Sequence, residues 1–349
     1  MDTIARNPTL TDVARAAGVS RSTAARALSG TGYVDSAKRR HIEETAARLG
    51  YRGSAIARAL RTNRSKTVGI LIADITNPIF PRIVRGADEA LTAEGITLLL
   101  CNTDGAADRQ AAFVREMLER KADGLILVSQ SVELDIVEVL RTGPPAVFVN
   151  RTPDPHSFDY VGPNNKAGID ALLDHLTSLG HRRLGFVHGP QNSSTARERF
   201  DRFQSRMAEL GLPVSPSQIY MGDYTVETGR AAADALLKTP PDQRPSAILA
   251  ANDFVALGLI DRARAMGLSV PEDLSVTGFD DAFGDADWHR VFPNAPRIVT
   301  VDQPRKKLGR LAAELLLERI ADPSRTPITR IVDVGLVPGS TTAPPRAAF

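Results

Sequence analysis

Residues 9–29 read TLTDVARAAGVSRSTAARALS, and the spacing of their apolar positions predicts two short helices broken by one glycine. Leu10, Val13, Ala14 and Ala17 recur at the i, i+3, i+4, i+7 intervals that place side chains on one helical face. Gly18 ends that face and Val19 fills the turn. Ser20 stands where its hydroxyl can accept from the free amides that open a second helix, 21–28. Two short helices about a glycine turn make a helix-turn-helix. The small Ala14 permits close approach, with Val13, Val19 and Leu28 as the core. A third helix is expected from an Asp35/Ser36 cap to Leu49, with Ile42, Ala46 and Leu49 on one face and Gly50 closing it.

In such a motif the second helix enters the DNA major groove by its first turns. Arg21, Ser22 and Arg26 occupy that place, and an arginine can bond guanine O6 and N7 together. Arg21 and Arg26 therefore read bases or contact phosphates, and Ser22 has the same two options. Thr9 and Thr23, near the two helix starts, are further candidate DNA contacts. Lys38, Arg39 and Arg40 open the third helix as phosphate contacts or solvated charge. The charge distribution agrees. Residues 1–66 carry 13 Lys/Arg against 5 Asp/Glu, a net of +8; with 43 and 41 in the whole chain, the other 283 residues carry 30 against 36, a net of −6. A basic module on an acidic body suits a polyanion-binding head.

From Thr67 the pattern changes to short apolar runs alternating with helix-length amphipathic segments, the signature of a parallel sheet with crossover helices. Strands are predicted at 68–73, 97–101, 124–128, 146–149, 184–188, 247–251, 275–279 and 298–301. Two sets of about four such units imply two doubly wound lobes, with a ligand between the carboxyl ends of the strands. Polar residues stand just past those ends: the segment 74–80, Ser129, Asn150-Arg151, Asn252-Asp253 and Asp280-Asp281. The fold class read from this pattern is an all-α helix-turn-helix head on an α/β two-lobed body.

LTDVARAAGVS at 10–20, RALSG at 26–30 and LGY at 49–51 resemble the head of the LacI/GalR family of bacterial regulators, and the resemblance continues almost to the C-terminus. It implies a periplasmic-binding-protein-like body and a segment, 54–62, that forms a hinge helix on operator DNA. Ser54, Arg58 and Leu60 become DNA-contact candidates, with Leu60 as a minor-groove wedge; without the family, Leu60 reads as an interdomain packing residue. The resemblance also implies that Arg199 and Asp280 clasp an effector, with Asn252, Asn77, Phe80 and Asn150 around it and Tyr224 stacking on a sugar ring. The implied domains are a head at 1–53, a hinge at 54–66 and a body at 67–340. Within the body, an N-lobe is expected at about 67–161 and 293–322, and a C-lobe at about 162–292 and 323–340. Lobe crossings are expected near Gly162, Pro293 and Asp322, followed by a disordered tail, 341–349. The chain departs from the family pattern at Gly53-Ser54, Ala24-Ala25, Arg202 and Gly339; Arg202 is expected to alter the rear of the pocket.

The implied function is that of a transcription regulator, most simply a repressor, acting as a homodimer or higher oligomer on a pseudo-palindromic operator. Its effector would be a carbohydrate or a related molecule, since sugars, sugar acids and purines are all recognised on this scaffold. A solute-binding protein would want a signal peptide and no basic head, whereas Met1–Pro8 has no apolar core. An enzyme would want a nucleotide loop or nucleophile elbow, and neither motif occurs. The single cysteine, Cys101, reads as buried packing and leaves neither an intramolecular disulfide nor a structural metal site to expect. No cofactor, catalytic residue or membrane contact is expected, and the chain reads as cytoplasmic. Trp288 borders the cleft or packs beside a lobe crossing.

Overall fold

The computed structural model describes residues 8–30, 32–51, 64–129, 134–153, 157–240, 243–291 and 295–346. They form two compact units, Met1–Lys66 and Thr67–Phe349. In the first, α1 (Leu10–Ala16), α2 (Arg21–Ser29) and α3 (Ser36–Leu49) pack on Val13, Ala14, Ala24, Ala27, Ile42 and Ala46. Thr9 and Asp12 form a reciprocal capping box at α1. The Ser20 hydroxyl accepts the Thr23 amide at 3.1 Å to open α2. Leu49 stands 37% exposed, and Thr45 takes its place on the packed face of α3.

The second unit holds two parallel sheets. The N-lobe sheet joins β1 (Thr67–Ile72), β2 (Thr97–Asn102), β3 (Gly124–Val128), β4 (Ala146–Val149), β5 (Asp159–Pro163) and β11 (Thr329–Val332) in the order β11-β5-β4-β3-β1-β2. Its crossover helices include α4 (Ile79–Ala93), α5 (Ala107–Glu119) and α6 (Leu134–Thr142). The C-lobe sheet joins β6 (Leu184–His188), β7 (Ile219–Met221), β8 (Ala247–Ala250) and β9 (Ser275–Thr277) in the order β7-β6-β8-β9. Its helices are α7 (Asn165–Ser178), α8 (Ser194–Glu209), α9 (Val226–Leu236) and α10 (Asp253–Ala265), followed by α11 (Gly284–Val291). β10 (Thr300–Asp302) extends this lobe through bridges from Val299 to Thr277 and from Asp302 to Asp280. α12 (Arg305–Ala321) then returns to the N-lobe, where Leu308, Ala312, Leu315 and Leu316 join its core.

Reciprocal glycines bring paired helices into backbone contact. A Cβ on Gly86 of α4 would strike Lys306 O, and one on Gly309 of α12 would strike Ile83 O; Gly229 of α9 and Gly258 of α10 repeat the arrangement in the C-lobe.

Two of the three expected crossings are displaced. The first stands beside Gly162, where β5 ends. The second follows β10 at about Gln303 rather than Pro293, because residues 299–302 pair with the C-lobe. The third follows Val332 rather than Asp322, because β11 pairs in parallel with β5 as an N-lobe strand. β12 (Gly335–Val337) then pairs antiparallel with β10. Residues 341–346 are not a loose tail: Thr341 is fully buried, and its carbonyl accepts from Val276 N at 2.8 Å. Among the described residues, no helix is long and apolar enough to cross a membrane.

Candidate functional site

Parallel strands deliver their last residues to one rim, and a cavity of about 180 Å³ lies there between the lobes. All eight effector candidates line it: Asn77, Phe80, Ser129, Asn150, Arg199, Tyr224, Asn252 and Asp280. Ser129 and Asn150 leave β3 and β4 at φ of +54° and +66°, which turns their side chains out of the sheet register. Phe80 lies in the first turn of α4, 6% exposed. Thr195 and Gln303 also line the wall, and nothing in the strand-end pattern marked them. Thr195 lies one helical turn before Arg199, and Gln303 follows the three-residue β10. That i, i+4 spacing is the signal that could have found Thr195.

Arg199 is held on three sides. Its Nε donates to Asn165 Oδ1 at 2.9 Å, Nη1 to Ala251 O at 2.8 Å and Nη2 to Asp280 Oδ1 at 3.2 Å. Its guanidinium lies 3.6 Å from the Phe279 ring centroid. Burial pushes the Asp280 carboxyl up from its ordinary value, while Arg199 and Gln303 oppose that shift. Asn252 caps α10 by accepting from Val255 N at 2.9 Å, and its amide nitrogen donates to Tyr224 O at 3.3 Å. Arg151 lies over the Tyr224 ring at 5.5 Å, and burial lowers its pKa. Trp288 lies away from this lining, fully buried in the C-lobe core. Arg202 likewise faces away, paired with Asp170 at 2.7 Å and Glu209 at 2.7 Å, so the expected change at the pocket's rear does not arise. A side chain at Gly339 would collide with the backbone of Arg297 and Ile298.

Behind the cavity, Asp253 is buried and accepts from Thr300 Oγ1 at 2.6 Å and Ala282 N at 2.8 Å. Burial, reinforced by Asp280 and Asp281, pushes it up to about 7. A carboxyl raised on folding favours the native state fully below its unfolded value, about 3.9, and loses that contribution as pH rises toward 7. Asp253→Asn, whose amide can still bridge Thr300 and Ala282, is expected to flatten this part of the stability profile. The slope removed is at most about 1.4 kcal/mol per pH unit. Urea unfolding of both proteins across that window is the check, and identical slopes would refute it.

In the head, Arg21, Ser22 and Arg26 are exposed on α2, Thr23 is half-buried, and the Ser22 and Thr23 hydroxyls bond to Ser20 Oγ at 2.9 and 2.8 Å. The Thr9 hydroxyl is engaged by Asp12 at 2.6 Å. Ser54, Arg58 and Leu60 lie outside the described residues. Among the described residues, no group of three His, Cys, Asp or Glu could hold a metal ion. Cys101 is buried, and burial pushes its thiol up to about 11.

Residues 9–54 match the family described as bacterial regulatory proteins, lacI family, and residues 173–342 match a periplasmic binding protein-like domain. The HTH-type transcriptional repressor PurR of Photobacterium profundum is 34% identical over 316 residues, 90% of this chain and 92% of that protein. The chain belongs to the LacI family. It is a DNA-binding transcriptional repressor of the LacI type, with a helix-turn-helix and a two-lobed α/β body. Among solved structures, the transcriptional regulator CelR–cellobiose complex is 27% identical with a TM-score of 0.72, covering 96% of this chain and 99% of that one. The lac repressor dimer bound to operator and the anti-inducer ONPF shares the fold at a TM-score of 0.82 and 24% identity, covering 97% and 100%.

Proposed function

We propose that this repressor binds a pseudo-palindromic operator as a homodimer, and that a small hydroxyl-rich molecule, a sugar or sugar derivative, sets its operator affinity from the interlobe cavity. The observation that carries the effector reading is the buried Arg199–Asp280 pair in the wall of that cavity, among convergent polar groups. At about 180 Å³ the cavity is smaller than the roughly 300–1,000 Å³ of drug-sized sites, which favours a ligand of one ring. Closure of the lobes on that ligand would bias the hinge, coupling the two sites by about 1–3 kcal/mol. The head at 1–53 would read the half-site, the hinge at 54–66 would contribute Ser54, Arg58 and Leu60, and the body at 67–340 would sense and dimerise. A cytoplasmic location, on the nucleoid when DNA is bound, goes with this role.

Selection from random duplexes is expected to return a two-fold-symmetric site, and affinity flat across sequences would refute the reading. On the selected operator, Arg26→Ala is expected to cost about 1–3 kcal/mol and relax one base position per half-site. A uniform loss on all duplexes, with a shallower salt dependence, would instead make Arg26 a phosphate contact.

A further inference from the structure

A second cleft, of about 390 Å³, opens on the opposite rim of the N-lobe sheet, where β4 starts at Ala146 and β5 at Asp159. The four residues of β4, roughly 13 Å of strand, separate it from the interlobe cavity, which Asn150 lines from the other end. The last turn of α6 and the loop between α12 and β11 close its sides. Its volume falls within the roughly 300–1,000 Å³ of small-molecule sites.

The walls divide by chemistry. Leu140 and Phe158, both buried, form an apolar flank with Pro144, Pro145, Pro323 and Pro327. Prolines carry no amide donor and hold φ near −65°, so these loops present apolar faces of fixed shape. The floor is Asp159, fully buried between two guanidiniums. Its Oδ2 accepts from Arg319 Nε at 2.8 Å and Arg325 Nη2 at 3.2 Å, and its Oδ1 from Arg319 Nη2 at 3.1 Å and Ile328 N at 2.8 Å. Arg319 commits its other donors to the carbonyls of Pro323, Arg325 and Thr326. Arg141 stands at the mouth, 46% exposed, with Nη2 3.4 Å from Ser157 Oγ. Three arginines against one carboxylate leave the described lining at +2. The outer partners, Glu138 of Arg141 and Glu318 of Arg325, are exposed and screened by water, and neither belongs to that lining.

We infer that this cleft is a second ligand site and that it takes a small organic anion. Its apolar body lies on the proline flank, and its carboxylate or phosphate meets Arg141. Arg319 and Arg325, tied to Asp159 and the loop, contribute a fixed positive field, whereas Arg141 is free to turn its exposed guanidinium onto the anion. Arg141 is therefore the residue that selects charge. The site stands on the rim opposite the effector cavity and does not depend on the effector reading.

Ligand-observed NMR titration of the full chain tests this with benzoate, cyclohexanecarboxylate and phenyl phosphate against the neutral isosteres benzamide and benzyl alcohol. The acids are expected to bind in the millimolar range or tighter and the neutral forms at least about tenfold more weakly, with added salt weakening the acids alone. Ranking the carboxylates against phenyl phosphate identifies the anionic group. Arg141→Gln is expected to weaken the acids about tenfold. Ser157→Glu, which sets a resident carboxylate beside Arg141, is expected to exclude them and supplies the readout should Arg141→Gln fold poorly. No binding by any acid, neutral isosteres that bind as well, or affinities unchanged in both variants overturn the inference and leave the effector reading standing.

Discussion

Arg199→Ala is expected to destabilise the body by about 3 kcal/mol near pH 8 and by clearly less near pH 5, besides abolishing effector binding. The guanidinium is 5% exposed and its partner Asp280 8%, so truncation leaves a buried carboxylate whose remaining side-chain donor among the described residues is Gln303. Breaking such a pair typically costs roughly 3–5 kcal/mol, because the surviving charge keeps its desolvation penalty. Protonation relieves that penalty. Arg199 is the largest influence holding Asp280 down against burial, so its removal raises the carboxyl further. A raised carboxyl stabilises the native state below its unfolded value and loses that contribution as pH rises through the folded one. The gap between wild type and variant must therefore widen with pH. Urea unfolding at the two pH values measures it; a loss below about 1 kcal/mol that ignores pH would mean that Asp280 is satisfied without Arg199.

The head and the cavity were legible in the sequence for different reasons. Helical spacing and a glycine turn are local signals, and α1 to α3 follow them to within a residue or two. The cavity residues stand past apolar runs because parallel strands end on one rim, which is a rule of topology. What escaped were strands too short or too mixed to show a period. β5 ends in Gly162-Pro163, β7 and β12 have three residues each, and β11 is an edge strand whose Arg330 and Ile331 face solvent in part. Since β10 and β11 carry the chain between lobes, missing their partners displaced two crossings. Gln303 was lost for the same reason: it follows β10, whose place in the C-lobe shows through the bridges of Val299 to Thr277 and of Asp302 to Asp280 and through its pairing with β12. Phe283 escaped as well. It packs against both lobe cores, and no periodicity in one segment can announce that.

Removal of residues 341–349 is expected to cost about 3–6 kcal/mol and lower the melting temperature by on the order of 10 °C, although their composition reads as a loose end. Thr341 accepts from two buried amides: Val276 N reaches its carbonyl at 2.8 Å and Val299 N its hydroxyl at 2.9 Å. Ala343 exchanges bonds with Ser275, its N–H donating to Oγ at 3.0 Å and its carbonyl accepting from Oγ at 3.1 Å. That carbonyl also accepts from His181 Nε2 at 2.9 Å, which leaves Nδ1 to accept from Ser246 Oγ at 2.8 Å. The two prolines that make the segment look unstructured hold it extended, so little conformational entropy opposes docking. Without the segment these five bonds to Thr341 and Ala343 are exchanged for bonds to water, at about 0.5–1.5 kcal/mol each. Thr341→Val, which keeps the shape and removes the hydroxyl, should show the Val299 share alone. His181 provides a second signature. Burial holds its pKa below the ordinary value, so the stability it contributes is present above the unfolded pKa, about 6.5, and is lost as pH falls through the folded one. Truncation opens the imidazole to water, and that acid-side slope should flatten. A chain ending at Ser340 that melts with the full chain and keeps the slope would show that the strap only drapes the sheet.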